Sequence, residues 1–266
     1  MASFAPGKVG GSTHLSASGV ISTCDCWARP GITPTRRTRS TVSRIRRMVD
    51  PSMSKILVDS VVFDLDGTLW DTSATCAMGW NRVLERLGIP FRPITEHDVR
   101  RVTGTPHEQC IREVFAGLPE AHLAALAAET AVEDVRLIGE RGGDLFPHVD
   151  AGLKQLAVRY PLFIVSNCQA GYIETFQRWS GLGDCFRDFE CWGHTGRTKP
   201  ANLKMLIERN GLRHPVFVGD TPGDQAAARE CRVPFLHADY GFGRCPDAAH
   251  RFSSFAELTG WLLARA

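Results

Sequence analysis

The sequence predicts an α/β fold in which a doubly wound, Rossmann-like parallel sheet carries an inserted helical cap, and three observations lead to this prediction. Short apolar runs alternate with stretches of helical periodicity, which is typical of parallel strands joined by crossover helices. Polar clusters follow directly after several of these runs, where the carboxyl ends of parallel strands form a ligand crevice. About a hundred residues separate the first two runs, too many for one crossover helix.

The first apolar run, Val61 to Phe63, leads into Asp64 and Asp66. If the strand continued regularly through them, both carboxylates would project from one side, since strand side chains alternate between faces. Two carboxylates so close repel each other unless a cation or a shared proton offsets their charge, and Mg²⁺ favours such hard oxygen ligands. The alternative interpretation is an ordinary strand end with an Asx turn at Asp66-Gly67.

Residues 71–146 are predicted to form the cap. Apolar residues recur at helical spacing from Thr72 to Leu87, and three further helical runs follow at 95–102, 106–115 and 120–138. A cap that closes over the site would exclude water, and its inner face would set substrate selectivity. The candidates for that face are Trp80, Arg100, Arg101, Thr103, Gly104, Thr105 and His107. Alternatively, Trp80 belongs to the core of the cap and the two arginines lie on a solvated helix face.

The rest of the chain, 147–266, returns to the predicted sheet domain, which also includes 55–70. A second strand, 161–167, ends in Ser166 and Asn167, and a third, 215–219, is followed by Asp220 and Asp224. Lys199 precedes a helix over 201–210. Further helices are predicted over 149–158, 172–179, 225–230 and 254–263, and further strands over 186–191 and 234–238. Singly, Ser166 or the acids could be helix caps and Lys199 a surface charge. Together, at successive strand ends, they indicate one site.

In this order the motifs resemble the four motifs of the haloacid dehalogenase superfamily, and most closely those of its phosphoglycolate phosphatase-like branch. The matching segments are Asp64-Leu65-Asp66-Gly67-Thr68-Leu69, Ser166-Asn167, Lys199-Pro200 and Gly219-Asp220-Thr221-Pro222-Gly223-Asp224. The resemblance extends from about Ile56 to the C-terminus. The family often has glycine where His148 stands.

The resemblance implies a role for each site residue. Asp64 would be the nucleophile that forms an aspartyl-phosphate, and Asp66 the general acid and then the general base. Lys199 would offset the charge that Asp64 shares with the phosphate. Mg²⁺ would be held by Asp64, the backbone carbonyl of Asp66, Asp220 and Asp224, while Thr68, Ser166, Asn167 and Lys199 would bind the phosphoryl group or steady its loop.

These roles predict a Mg²⁺-dependent phosphatase of small phosphate monoesters such as phosphoglycolate, a sugar phosphate or a nucleotide. A phosphomutase of the β-phosphoglucomutase type shares all four motifs and stays an alternative, and a binding module without turnover is a third. The presence of Asp66 argues against the dehalogenases, which lack this second acid.

Residues 1–54 form a basic leader with too few apolar residues for a packed domain, and we expect it to be disordered. It is either an organellar transit peptide or the result of a misassigned translation start at which Met48 or Met53 is the true first residue. The net charge of +2 comes from this leader, so nucleic-acid binding is not expected. No segment is apolar enough for a secretory signal or a membrane span, and nine scattered cysteines indicate a reducing compartment. We therefore expect a cytoplasmic monomer or homodimer, or an organellar protein if the leader is a transit peptide.

Overall fold

The computed structural model of the protein describes residues 56–266. The predicted leader, 1–54, lies outside the described residues. In chain order the elements are β1 (Ser60–Phe63), β2 (Trp70–Asp71), α1 (Ser73–Leu87), α2 (Glu96–Val102), α3 (His107–Val114), α4 (Glu120–Arg141), β3 (Asp144–Leu145), α5 (Val149–Ala157), β4 (Leu162–Ser166), α6 (Tyr172–Ser180), β5 (Phe186–Cys191), α7 (Trp192–Thr195), α8 (Lys199–Asn210), β6 (Pro215–Gly219), α9 (Pro222–Cys231), β7 (Phe235–Ala238), β8 (His250–Phe252) and α10 (Phe255–Leu263).

A six-stranded parallel sheet forms the centre, in the order β5-β4-β1-β6-β7-β8. Strand β1 lies between β4 and β6, with Val61 opposite Leu162 on one side and Val216 on the other. Because these three strands are parallel and adjacent, the residues that follow them meet at one edge of the sheet. The sheet therefore brings together the motifs that follow β1, β4 and β6.

Helices cover both faces of the sheet, which confirms the doubly wound α/β prediction. On one face Phe63 packs against Phe255 of α10, with ring centroids 6.0 Å apart. On the other face Val62, Phe163 and Phe217 form a second apolar cluster with residues of α8 and α9. Alternate residues of each strand thus enter different apolar layers, as a strand buried on both faces requires.

Helices α1 to α4 lie in the insert that the sequence predicted to be helical, and their bounds are within three residues of those predicted. The two-stranded antiparallel pair β2–β3, which we did not predict, brackets them and sets Trp70 opposite Leu145 and Asp71 opposite Asp144. This pair lies at the proposed limits of the cap, 71–146, which stay a prediction.

Some details differ from the sequence analysis. Helix α8 begins at Lys199 rather than Ala201, and β8 and the short α7 were not predicted. His148 has a left-handed backbone, with φ 71° and ψ 4°, a conformation that glycine adopts at less cost. None of the helices in the described part of the chain is long and apolar enough to cross a membrane.

Candidate active site

The two acids of the first motif lie just beyond β1, which ends at Phe63. The chain turns here, with the amide of Gly67 donating to the carbonyl of Trp70 at 2.9 Å. Regular strand alternation therefore does not position Asp64 and Asp66, and their carboxylates contact different partners. Both nevertheless line the same cavity, together with Ser166 from the end of β4.

Lys199 joins two of the predicted acids. Its Nζ donates to Oδ1 of Asp64 at 2.7 Å and to Oδ1 of Asp224 at 2.6 Å, and all three side chains are buried. Burial alone would lower the pKa of Lys199, but the charges of Asp224 and Asp64 outweigh it and raise this pKa. Lys199 is therefore held as a cation directly behind Asp64.

Asp220 follows β6 in a tight backbone cradle. Its Oδ2 accepts from the amides of Phe242 at 2.8 Å and Gly243 at 3.2 Å, and its Oδ1 accepts from the Thr68 hydroxyl at 3.4 Å. A Cβ on Gly67, whose φ is +82°, would lie 2.4 Å from Oδ2 of Asp220. The Asp-Gly turn is therefore required here for close approach, and the alternative of an ordinary strand-end turn does not account for it.

The carboxylates of Asp64, Asp220 and Asp224 fit a divalent cation. They are buried, and one oxygen from each lies within 4.8 Å of the others. Burial, and next the charge of Asp224, raises the pKa of Asp220 to about 7, and burial raises that of Asp64 well above its ordinary value. The single charge of Lys199 does not balance three carboxylates, whereas hard oxygen donors and excess negative charge are what Mg²⁺ requires.

The three acids differ in how free their oxygens are. Both oxygens of Asp224 are engaged, Oδ1 by Lys199 and Oδ2 by the backbone N–H and hydroxyl of Thr221 at 2.9 and 2.6 Å. Within the described part of the chain, Asp64 accepts a hydrogen bond at Oδ1 alone, and Oδ1 of Asp220 accepts only the long bond from Thr68 at 3.4 Å. The side chain of Asp66 is not part of this group in the described residues, which is compatible with a contribution from its backbone carbonyl.

Asp66 has a separate hydrogen-bonded setting. Its Oδ1 accepts from the Tyr172 hydroxyl at 2.8 Å and from the Thr72 hydroxyl at 3.1 Å. Burial raises the pKa of Asp66 to about 6, although both hydrogen bonds oppose this rise. A carboxyl group with this pKa can exchange a proton near neutral pH, as a general acid must.

The predicted phosphate-binding residues occupy different positions around the site. Ser166 lines the cavity, and its Oγ accepts from the amide of Cys168 at 3.3 Å. Asn167 Nδ2 donates to the carbonyl of Gly104 in the insert at 2.8 Å, while its Oδ1 is buried without a partner. Thr68 is buried against Asp220. The phosphate contacts assigned to these residues stay predictions.

A cavity of about 60 Å³ lies between the insert and the sheet, above Asp64 and Asp66. Five of the seven candidates for the inner face of the cap line it, namely Trp80, Thr103, Gly104, Thr105 and His107. Arg100 and Arg101 instead line a wider outer cleft, where Arg100 pairs with Asp71 at 2.6 Å and Arg101 with Glu113 at 2.5 Å. The arginines are about half exposed, as the solvated-face alternative supposed.

Several residues of this cavity were not singled out by the sequence analysis, among them the polar residues Asp134, Tyr172 and Thr72. Asp134 lies on α4, and both of its oxygens accept from the indole Nε1 of Trp80, at 3.1 and 3.2 Å. A signal was present, because Leu126, Thr130, Asp134 and Ile138 follow one another at intervals of four residues. An acid on that buried stripe of a helix requires an explanation.

Comparison with known sequences identifies relatives over most of the described chain. The family described as "Haloacid dehalogenase-like hydrolase" matches residues 61–238. A phosphoglycolate phosphatase of Rhodospirillum rubrum is 29% identical over 224 residues, which cover 76% of this chain and 90% of that protein. One from Psychrobacter arcticus is 27% identical over 221 residues, covering 76% and 95%.

Solved structures show the same fold. A haloacid dehalogenase-like family hydrolase from Streptococcus pneumoniae superposes with a TM-score of 0.68 at 20% identity, covering 77% of this chain and 98% of that one. CbbY from Rhodobacter sphaeroides, solved in complex with phosphate, gives a TM-score of 0.63 at 19% identity, covering 76% and 96%. At these identities the likeness concerns the fold.

Proposed function

Because the chain belongs to the haloacid dehalogenase-like hydrolase family, we propose that it is a Mg²⁺-dependent phosphatase of small phosphate monoesters that works through an aspartyl-phosphate. One observation carries the proposal. Asp64 belongs to the buried group with Asp220 and Asp224, is paired with Lys199, and lines a cavity that Asp66 and Ser166 also line. The curated relatives named phosphoglycolate phosphatase support the same reaction class.

Asp64 is the nucleophile in this proposal. One of its oxygens forms a bond to phosphorus while the ester P–O bond breaks, and Asp66 gives its proton to the leaving oxygen. The ammonium of Lys199, 2.7 Å from Oδ1 of Asp64, reduces the repulsion between this carboxylate and the phosphate dianion. Asp66 suits the role of general acid because burial raises its pKa to about 6.

Hydrolysis of the intermediate reverses the role of Asp66. Now deprotonated, it takes a proton from a water molecule whose oxygen attacks phosphorus, and the bond to Asp64 breaks to release inorganic phosphate. The hydroxyls of Tyr172 and Thr72 hold the Asp66 carboxylate in place throughout. Ser166 donates to the phosphoryl oxygens in this scheme.

Asp64, Asp220 and the backbone carbonyl of Asp66 would hold Mg²⁺, with Asp224 supporting them through Lys199 and Thr221. When bound, the ion supplies positive charge that stabilises the oxygens of the transferring phosphoryl group. Phosphoryl transfer depends mainly on positioning and charge, which these rigid strand ends provide.

The test is phosphate release by the full-length protein from a panel of phosphate monoesters, with Mg²⁺ and with EDTA. We expect Mg²⁺-dependent release that Asp64→Asn abolishes. Asp247→Asn, at an exposed position, is the matched control and should leave the rate unchanged. Undiminished release by the Asp64→Asn protein would exclude the proposed nucleophile. Transfer of phosphate between sugar positions without release would favour the phosphomutase.

A further inference from the structure

The cavity above Asp64 and Asp66 has an unusual charge for an enzyme of anionic substrates. The residues that line it in the described part of the chain include neither lysine nor arginine. Arg100 and Arg101 of the insert lie on the outer cleft and are already paired with carboxylates. A substrate's alcohol part that carried a carboxylate would therefore enter this cavity without a cationic partner.

The inner wall carries a buried acid of its own. Asp134 is 2% exposed, its carboxyl group accepts from the indole N–H of Trp80, and the side chains of Cys76 and Gln169 also favour its charged form by hydrogen bonding. A carboxylate offers about four acceptor positions, so Asp134 can still accept a further donor from the cavity. Although Nδ1 of His107 lies 3.7 Å from Oδ2 of Asp134, His107 does not supply a balancing charge, because burial lowers its pKa to about 4.

Two further groups on the wall have unmet hydrogen bonds. Nε2 of Gln169 and Oδ1 of Asn167 are buried without a close hydrogen-bond partner, and both residues line the cavity. A buried polar atom without a partner costs free energy that a bound ligand can recover. Because the Gln169 amide also interacts with Asp134, the wall offers a compact ligand two acceptors, on Asp134 and Asn167.

We infer that Asp134 determines substrate specificity by accepting N–H or O–H donors from the alcohol part of the ester. The site then takes phosphate monoesters of compact alcohols that carry an amine or a further hydroxyl. It disfavours esters whose alcohol part ends in a carboxylate, because that carboxylate would be buried beside an acid and without a cation among the lining residues. The small volume of the cavity, about 60 Å³, favours a compact alcohol part.

This inference rests on the proposed phosphatase function and narrows it. It separates this chain from relatives that are named for phosphoglycolate, an ester whose alcohol part bears a carboxylate. The proposed substrates are phosphate esters of small alcohols that carry a hydrogen-bond donor. The donor is either the amine of an amino alcohol or the hydroxyl of a polyol, and the substrates tested distinguish the two.

The experiment compares kcat/KM of the full-length protein for four esters: O-phosphoethanolamine, glycerol 1-phosphate, ethyl phosphate and 2-phosphoglycolate. The assay is run at pH 8, above the pKa of about 7 that burial gives Asp134. We expect one of the two donor-bearing esters to exceed 2-phosphoglycolate by about 100-fold, because the carboxylate of 2-phosphoglycolate would be buried beside an ionised acid and without a cation. Whether the amine or the hydroxyl ester is faster identifies the source of the donor.

Asp134→Asn removes the charge at constant shape and should raise kcat/KM for 2-phosphoglycolate, relative to ethyl phosphate, by about tenfold or more. Glu133→Gln is the matched control. Glu133 is the next residue of α4 and is 5% exposed, but it pairs with Arg136 and does not line the cavity. It should leave all four ratios unchanged.

The results distinguish a failure of the specificity inference from a failure of the proposed phosphatase function. If ethyl phosphate and the donor esters are hydrolysed but 2-phosphoglycolate is the best substrate, the inference is wrong and the phosphatase function stands. If no ester is hydrolysed, the phosphatase function fails. Calorimetric binding of the same esters to the Asp64→Asn protein then decides the inference, because equal or tighter binding of 2-phosphoglycolate would overturn it.

Discussion

The charge of Asp134 should destabilise the protein at neutral pH, and the size of this effect follows from its burial. Burial raises the pKa of Asp134 from its ordinary value of 3.8 to about 7. An acid whose pKa is higher in the folded than in the unfolded state stabilises the fold below its unfolded pKa, and this contribution is lost as the pH rises. The loss therefore runs from about pH 4 to just above pH 7.

A pKa difference of about three units corresponds to about 4 kcal/mol, at about 1.4 kcal/mol per unit. Asp134→Asn keeps an acceptor for the indole of Trp80 and removes the titration. We therefore expect the free energy of unfolding of the variant, relative to the parent protein, to increase by about 4 kcal/mol between pH 4 and pH 8.

The assay is urea unfolding followed by tryptophan fluorescence at each pH, with EDTA present so that metal binding does not contribute. Asp247→Asn removes an exposed acid and should give a nearly constant difference from the parent protein. A difference for Asp134→Asn that stays constant from pH 4 to pH 8 would refute the reasoning, since it would mean that the folded protein does not shift this pKa.

Three further predictions concern single side chains. Lys199→Met leaves Asp64 and Asp224 buried without their shared cation. Unfolding experiments at pH 8 should show that the free energy of unfolding falls by about 3–5 kcal/mol, and activity should fall as well. Unchanged stability would contradict the assigned ion pairs. Tyr172→Phe removes a hydrogen bond that lowers the pKa of Asp66. The alkaline limb of kcat/KM should move to higher pH, because a general acid acts when protonated, and a limb that moves to lower pH would exclude this role. His148→Gly relieves a left-handed backbone at an exposed position and should raise the unfolding free energy by about 1 kcal/mol without changing kcat/KM; a stability loss would show that the side chain contributes more than the strain.

The fold could be predicted from the sequence where the physical signal is long or strongly apolar. Strands β1, β4 and β6 are buried on both faces, so they appear as continuous apolar runs. Strands β2 and β3 have two residues each, and they form only because the residues just before the insert pair with those just after it. Strand β8 is a three-residue edge strand with two polar residues, so no local pattern marks it.

The candidate site likewise contains residues that local motifs predict and residues that they do not. Its acids and Lys199 follow strand ends, and the order of the strands brings them together, so the motifs were sufficient to locate them. Asp134 and Tyr172 reach the cavity from helices far away in the chain, and their partners Trp80 and Asp66 are 54 and 106 residues distant. Such contacts depend on how helices pack, and one sequence does not show that packing.

The β2–β3 pair has a consequence for how this enzyme could diversify. The chain leaves the sheet at Trp70–Asp71 and returns at Asp144–Leu145, directly opposite. An insert that begins and ends at neighbouring residues requires little change in the backbone of the sheet domain, for the same reason that insertions in surface loops are tolerated. Residues 73–143, which leave Thr72 and its bond to Asp66 in place, could thus be exchanged for another helical segment through this one junction, provided that the new segment also fits against Asn167. A lineage could in this way acquire new substrates while the acids and Lys199 at the strand ends are inherited intact.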